Sequence, residues 1–207
     1  MSPLPGRTGA ALTVALLTAV AWGAWAWGGD GGDSSTPRGV VVTGDPRRPT
    51  IVSQADPVVL PPGEVVLDLS QKFQVVENAR VLTGSEIELL EPHVRNVTAK
   101  VAADDGVTVG SWLFELRQNH DPVELVAGIE RFYEDSDYQR LSSTPPGTSA
   151  LLLEPPPGAD GVVTCRGHYV SSSGVVRVEA YGTDSEHVVR TFAGALAAQL
   201  ERLPQVL

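Results

Sequence analysis

The side chains in this sequence best suited to chemistry are four histidines, one cysteine and a short alternation of charged residues near the C-terminus. His93, His120, His168 and His187 lie far apart, and none belongs to a spaced ligand motif such as HExxH. A metal site would therefore need the fold to bring distant histidines together. His120 stands beside an expected helix cap and His187 in an expected first helical turn. Both read as solvent-exposed polar residues, since histidines commonly sit at intermediate burial without a function.

Arg166 and His168 alternate along one strand-like segment, and Arg177 and Glu179 along the next. Side chains two apart on a strand share a face, so these four form a polar cluster across a hairpin, expected on the outer face of a sheet. They are the candidate set for a site assembled from scattered residues. Cys165 is the only cysteine and cannot form an internal disulfide. Its place beside Val163 and Tyr169 predicts burial, with an intermolecular disulfide as the alternative in an oxidising compartment. No Gly-x-Ser-x-Gly elbow, Walker A loop or GxGxxG loop occurs. The carboxylate pairs Glu134-Asp135 and Asp104-Asp105 fall on a helix end and a turn, where they read as solubilising charge. Asn96-Val97-Thr98 matches a glycosylation sequon, a pattern short enough to arise by chance. No catalytic, cofactor-binding or metal-ligating residue is assigned, and no cofactor is implied.

The elements that must position these residues follow from periodicity. Val97, Ala99 and Val101 alternate with polar residues before Ala103-Asp104-Asp105-Gly106, and Val107 to Arg117 returns with Trp112, Phe114 and Leu116 on one face. This predicts a hairpin with glycine in a left-handed position. Asp121, Pro122 and Glu124 mark a helix start, and Val126, Ile129 and Tyr133, flanked by Leu125 and Phe132, recur at helical spacing. Short strands are expected over Tyr138 to Leu141 and Ala150 to Leu153. A second hairpin follows, with Val163, Cys165 and Tyr169 facing inward on one strand and Val176, Val178 and Ala180 on its return, joined through Ser171 to Gly174. A capping box of Thr183 with Glu186 opens a last helix whose stripe is Val189, Phe192, Leu196, Leu200 and Leu203. Glu86 to Glu91 suits either a helix turn or a strand. The expected fold is α+β: an antiparallel sheet with these two helices packed on one face.

Thr8 to Gly29 carries no charge, and about 20 helical residues span the roughly 30 Å of bilayer hydrocarbon. Arg7 precedes it, Asp30 and Asp33 follow, and Trp22, Trp25 and Trp27 crowd its distal end. Retained positive charge and an interfacial tryptophan belt predict a single span with the C-terminal domain outside. Ala24-Trp25-Ala26 leaves cleavage near Ala26, and secretion, as the alternative. The expected organisation is a cytoplasmic start over 1–7, an anchor or signal peptide over 8–27, a Gly/Pro-rich disordered linker over 28–63 and an extracytoplasmic domain over 64–207. Within the linker, Val40 to Val42 and Ile51-Val52 are apolar islands that could add an edge strand. The formal charge of -10 falls wholly on the C-terminal domain, because the residues before Glu64 balance four basic against four acidic side chains. Such a surface repels phosphate backbones, so nucleic acid is not an expected partner.

The run Thr164-Cys165-Arg166-Gly167-His168-Tyr169-Val170, continuing through Val176-Arg177-Val178-Glu179-Ala180-Tyr181 into a helix with Ala197-Ala198-Gln199-Leu200, resembles the closing hairpin and helix of actinobacterial envelope proteins with sensor-like or Mog1/PsbP-like α+β modules. The likeness covers about the last third of the domain. It implies an extracytoplasmic binding or accessory role and carries over no site residue. The chain lacks the lipobox cysteine and the paired domain cysteines that many such proteins hold. The expected function is thus a membrane-anchored, non-catalytic module that binds an envelope protein or a small apolar ligand. The alternative is a secreted or anchored enzyme using the Arg166, His168, Arg177 and Glu179 cluster.

Overall fold

A computed structural model describes residues 56–78, 81–142 and 144–206. The expected anchor and most of the expected linker lie outside them. Among the described residues no helix is long and apolar enough to cross a membrane.

Two hairpins meet to make the centre of the fold. The first joins β2 (Val94–Asp104) to β3 (Val107–Leu116), and the second joins β6 (Val163–Ser171) to β7 (Gly174–Gly182). Antiparallel pairing of β3 with β7, from Thr108 opposite Tyr181 to Phe114 opposite Val175, fuses them. With β1 (Glu64–Lys72) outside β2, and β5 (Ser149–Leu153) and β4 (Gln139–Arg140) outside β6, the seven described strands run in the order β1-β2-β3-β7-β6-β5-β4. Asp105 and Gly106 close the first hairpin with φ of 45° and 76°, the doubly left-handed turn that matches strand twist. Gly174 starts β7 because a Cβ there would stand 2.2 Å from the Phe114 carbonyl oxygen.

Four described helices accompany the sheet: α1 (Phe73–Asn78), α2 (Gly84–Leu90), α3 (Pro122–Glu134) and α4 (Ser185–Arg202). The ambiguous stretch after Gly84 is thus helical. Thr83 caps it with a reciprocal Thr83–Glu86 box, which fixes an orphan donor at each position. Asp121 caps α3 as expected, with Pro122 in the first turn. The cap of α4 differs from expectation: Asp184, rather than Thr183, accepts the His187 amide at 3.0 Å.

The α+β class stands, but the two long helices do not share a face. α1, α2 and α3 cover one side, in a core of Phe73, Leu90, Val97, Trp112, Phe114, Leu125, Ile129 and Val175 among others. α4 covers the other, against Val109, Leu113, Val163, Cys165, Tyr169, Val176 and Val178. The reason is visible in β3, where Trp112 and Phe114 point one way and Val109 and Leu113 the other. A strand apolar on both faces needs cover on both. α4 is also rolled relative to its expected stripe. Val188, Phe192, Leu196 and Gln199 are buried, while Val189 and Leu200 are only partly so.

The Gln199 amide explains that roll. It donates to the Pro57 carbonyl and accepts from the Val59 amide, both at 2.8 Å. Val58 between them is buried, and Lys100 pairs with Asp56 at 2.5 Å. Residues 56–63, whose proline content reads as spacer, are therefore fastened to the domain. The sequon is equally placed against its motif: Asn96 lies within β2, its side-chain amide donates to Glu115 at 2.8 Å, and Thr98 is buried.

Candidate functional site

The cluster of Arg166, His168, Arg177 and Glu179 does assemble, but on a covered face rather than an outer one. Arg166 lies opposite Glu179 and His168 opposite Arg177 in the β6–β7 register, and all four are buried. The expectation of a wet sheet face is corrected by α2 and α3 lying over it. An alternating polar strand face gives the same sequence pattern whether water or a charged helix residue meets it. The helix residue here is Glu86, which is 3% exposed. Its Oε1 accepts from Arg166 Nη1 at 3.1 Å and from the Tyr133 hydroxyl, and it faces Arg177 Nη1 at 3.1 Å in an ion pair. Its Oε2 accepts from the Thr83 amide and hydroxyl, each at 2.9 Å.

Glu179 forms the second anionic centre. It accepts from Trp112 Nε1 at 2.8 Å and from the Tyr181 hydroxyl at 3.1 Å. Its other oxygen faces Arg166 Nε at 3.4 Å, in an ion pair that falls short of hydrogen-bond geometry. Two carboxylates thus balance two guanidinium groups, and aromatic rings complete the enclosure. Arg166 lies 4.7 Å over the Tyr133 ring and Arg177 5.2 Å over Phe114, while Tyr133 stacks on His168 at 5.7 Å.

These surroundings fix the protonation states. Burial alone would raise the Glu86 carboxyl, but the charges of Arg166 and Arg177, with bonds from Tyr133 and Thr83, hold it well below the usual carboxylate range. Burial, and then the positive fields of Arg177 and Arg166, push His168 well below its ordinary value. His168 is therefore neutral, accepts from Arg177 Nε at 3.3 Å through Nε2, and carries its proton on Nδ1. Burial drives the Tyr133 hydroxyl upward, so it donates to Glu86 and is no proton source. Glu86, Arg166, His168, Arg177 and Glu179 are all buried, while Thr83 and Tyr181 at the edge of the cluster are half-buried. The arrangement fastens helices to sheet.

Open space lies elsewhere. A cleft of about 380 Å³ runs between α3 and the β4–β5 edge, lined by Val123, Val126, Val170 and Val206 with Ser149 on its wall. Arg140 at its rim is held by Glu130 at 2.6 Å and by Glu134. Cys165 is buried as expected, and burial, with a smaller push from Glu154, raises its thiol to about 11. His187 is half-buried in the first turn of α4. His120 is half-buried too, and its ring meets that of His93, with Nδ1 to Nδ1 at 3.1 Å. Among the described residues no group of three or more His, Cys, Asp or Glu side chains is placed to hold a metal ion.

Sequence reading found four members of the buried cluster and missed Glu86, Trp112, Tyr133 and Tyr181. The local signal for Glu86 is Thr83-x-x-Glu86, a capping box at the start of the segment that suits either helix or strand. Nothing local marks Tyr133 as anything but core. Comparison of the chain with protein-family models, curated proteins and solved structures finds no match. The class is therefore defined by architecture alone: a seven-stranded antiparallel sheet with helices on both faces.

Proposed function

We propose that the chain is a membrane-anchored, extracytoplasmic binding or accessory module whose domain accepts a small aliphatic ligand beside α3. The observation that carries the binding part is the valine-lined cleft of about 380 Å³. Small-molecule sites run roughly 300–1,000 Å³ with mostly apolar walls and a few polar groups. Four valines and Tyr169 supply the apolar wall of this cleft, and Thr148, Ser149 and the Glu130–Arg140 pair supply its polar groups. The placement outside the membrane is supported by the uncharged Thr8 to Gly29 stretch with its flanking charges, and by the resemblance of the closing hairpin and helix to actinobacterial envelope modules. The balance of -10 charges argues against a nucleic-acid partner.

Val123 is 63% exposed and Val206 is 50% exposed, so both can be changed without touching either core. Thermal melts of the full chain in nanodiscs, with C4 to C8 aliphatic alcohols as probes, should show Tm rising with chain length. Val123→Asp and Val206→Asp should each abolish the rise. If the probes leave Tm unmoved and cross-linking to an envelope fraction retains no partner at these valines, the binding reading fails. Retention of a protein at these valines without any ligand shift would replace the small ligand by a macromolecular one.

A further inference from the structure

The two histidines that meet outside both the cluster and the cleft carry a proposal that goes beyond the reading above. His93 closes the turn between α2 and β2, and His120 ends the loop between β3 and α3. They are 27 residues apart in sequence, yet their Nδ1 atoms stand 3.1 Å apart with the rings crossed at 84°. Each ring is carried on fixed backbone. The His93 amide donates to Leu90 at 3.0 Å, and its carbonyl accepts from Arg117 at 2.8 Å. His120 directly precedes Asp121, the cap of α3, which accepts the Val123 amide at 2.8 Å.

We infer that His93 and His120 form an open two-imidazole site for a borderline divalent cation of the zinc and copper class. The geometric basis is the nitrogen separation. Metal–imidazole bonds of about 2.0–2.1 Å at angles between about 90° and 110° place the two nitrogens roughly 2.9–3.4 Å apart, and 3.1 Å falls inside that window. Without metal, one ring donates its Nδ1 hydrogen to the other. With metal, the donor ring carries its hydrogen on Nε2 instead, so both Nδ1 lone pairs face the cation. Both rings are half-buried, and no third His, Cys, Asp or Glu joins them among the described residues. The remaining coordination positions thus belong to water or to a donor from a bound partner. Imidazole donors select zinc, nickel and copper over magnesium and calcium, which prefer oxygen.

The test uses the full chain without an affinity tag, stripped with chelator and titrated with Zn²⁺, Cu²⁺ or Mg²⁺ alone. Calorimetry should give one Zn²⁺ per chain and no Mg²⁺ binding. The Cu²⁺ form should show nitrogen superhyperfine splitting from two imidazoles. Free Zn²⁺ a hundredfold above Kd should raise Tm by roughly 5–10 °C. His93→Gln and His120→Ala should each weaken Zn²⁺ binding by more than about tenfold, while His187→Ala leaves it unchanged. Each imidazole is required, so either single variant suffices if the other fails to fold. The proposal is overturned if Zn²⁺ shifts neither heat nor Tm, if both variants titrate like the parent chain, or if His187→Ala removes the binding.

Discussion

The two faces of the central sheet are both buried, yet they are held by different physics. On the α4 face, Val109, Leu113, Val163, Tyr169, Val176 and Val178 meet Val188, Phe192 and Leu196. Polar contacts in that region are neutral: the Gln199 amide bonds the Pro57 and Val59 backbone, and the Tyr169 hydroxyl donates to the Leu203 carbonyl at 2.8 Å, its own titration pushed up to about 12 chiefly by burial. On the α2 and α3 face, the same strands present Arg166, His168, Arg177 and Glu179 to Glu86 and Tyr133. An apolar interface is tolerant of geometry, because burial counts area and not direction. A buried ionic one has a single satisfactory arrangement. Charges taken out of water need several partners each, and removing one strands the rest. The contrast suggests that α4 supplies adhesion while the cluster fixes how α2 and α3 sit, with Glu86 as the peg.

The largest expected effect breaks the ionic face at that peg. Glu86→Gln removes the charge that faces both Arg166 and Arg177 and should cost about 3–5 kcal/mol, read as a lowered midpoint in urea unfolding. A loss below about 1 kcal/mol would mean that the guanidinium groups are satisfied without Glu86. Next comes the apolar face. Leu196→Ala should cost about 2–5 kcal/mol through lost burial and a cavity, with a stability-versus-pH curve parallel to that of the parent chain. A changed pH slope would show that the two faces are coupled.

The smallest effect separates the faces by proton linkage. His168 is held neutral in the fold, below its ordinary value of 6.5, so below about pH 6.5 the unfolded chain binds a proton that the folded chain refuses. Stability then falls as pH falls, by about 1.4 kcal/mol per pH unit for this one group. Glu86 is depressed from 4.5, so its contribution is intact above that pH and is lost only in stronger acid. Between these two values, the difference in slope between the parent chain and His168→Gln isolates the histidine. The variant should flatten the curve there, and identical slopes would mean that His168 titrates in the folded state.

Much of the fold is legible in local order. Alternation in Val97 to Val101 and Val107 to Leu116 marked the first hairpin, and Asp121-Pro122 marked the start of α3. Val163 to Ala180 marked the second hairpin, each by backbone chemistry confined to a few residues. What failed was reading which side of a strand is wet. Period two says that Arg166 and His168 share a face, but water and Glu86 satisfy a guanidinium alike, so the pattern is silent on the choice. Gln199 was hidden the same way, as one polar residue at the edge of an apolar stripe whose partner, the backbone of Pro57 and Val59, is 140 residues away or more.

By itself, then, the amino-acid order determined the two hairpins with their internal pairing, the two long helices and the sole, buried thiol at Cys165, because those depend on neighbours in the chain, whereas β1 and α1 carry no such local signal. Only the tertiary structure decided that helices close both faces, that three scattered charges and a neutral imidazole become one buried network around Glu86, and that His93 meets His120. Those outcomes turn on which surfaces compete for cover once the β3–β7 pairing is made, a long-range event that no window along the sequence contains.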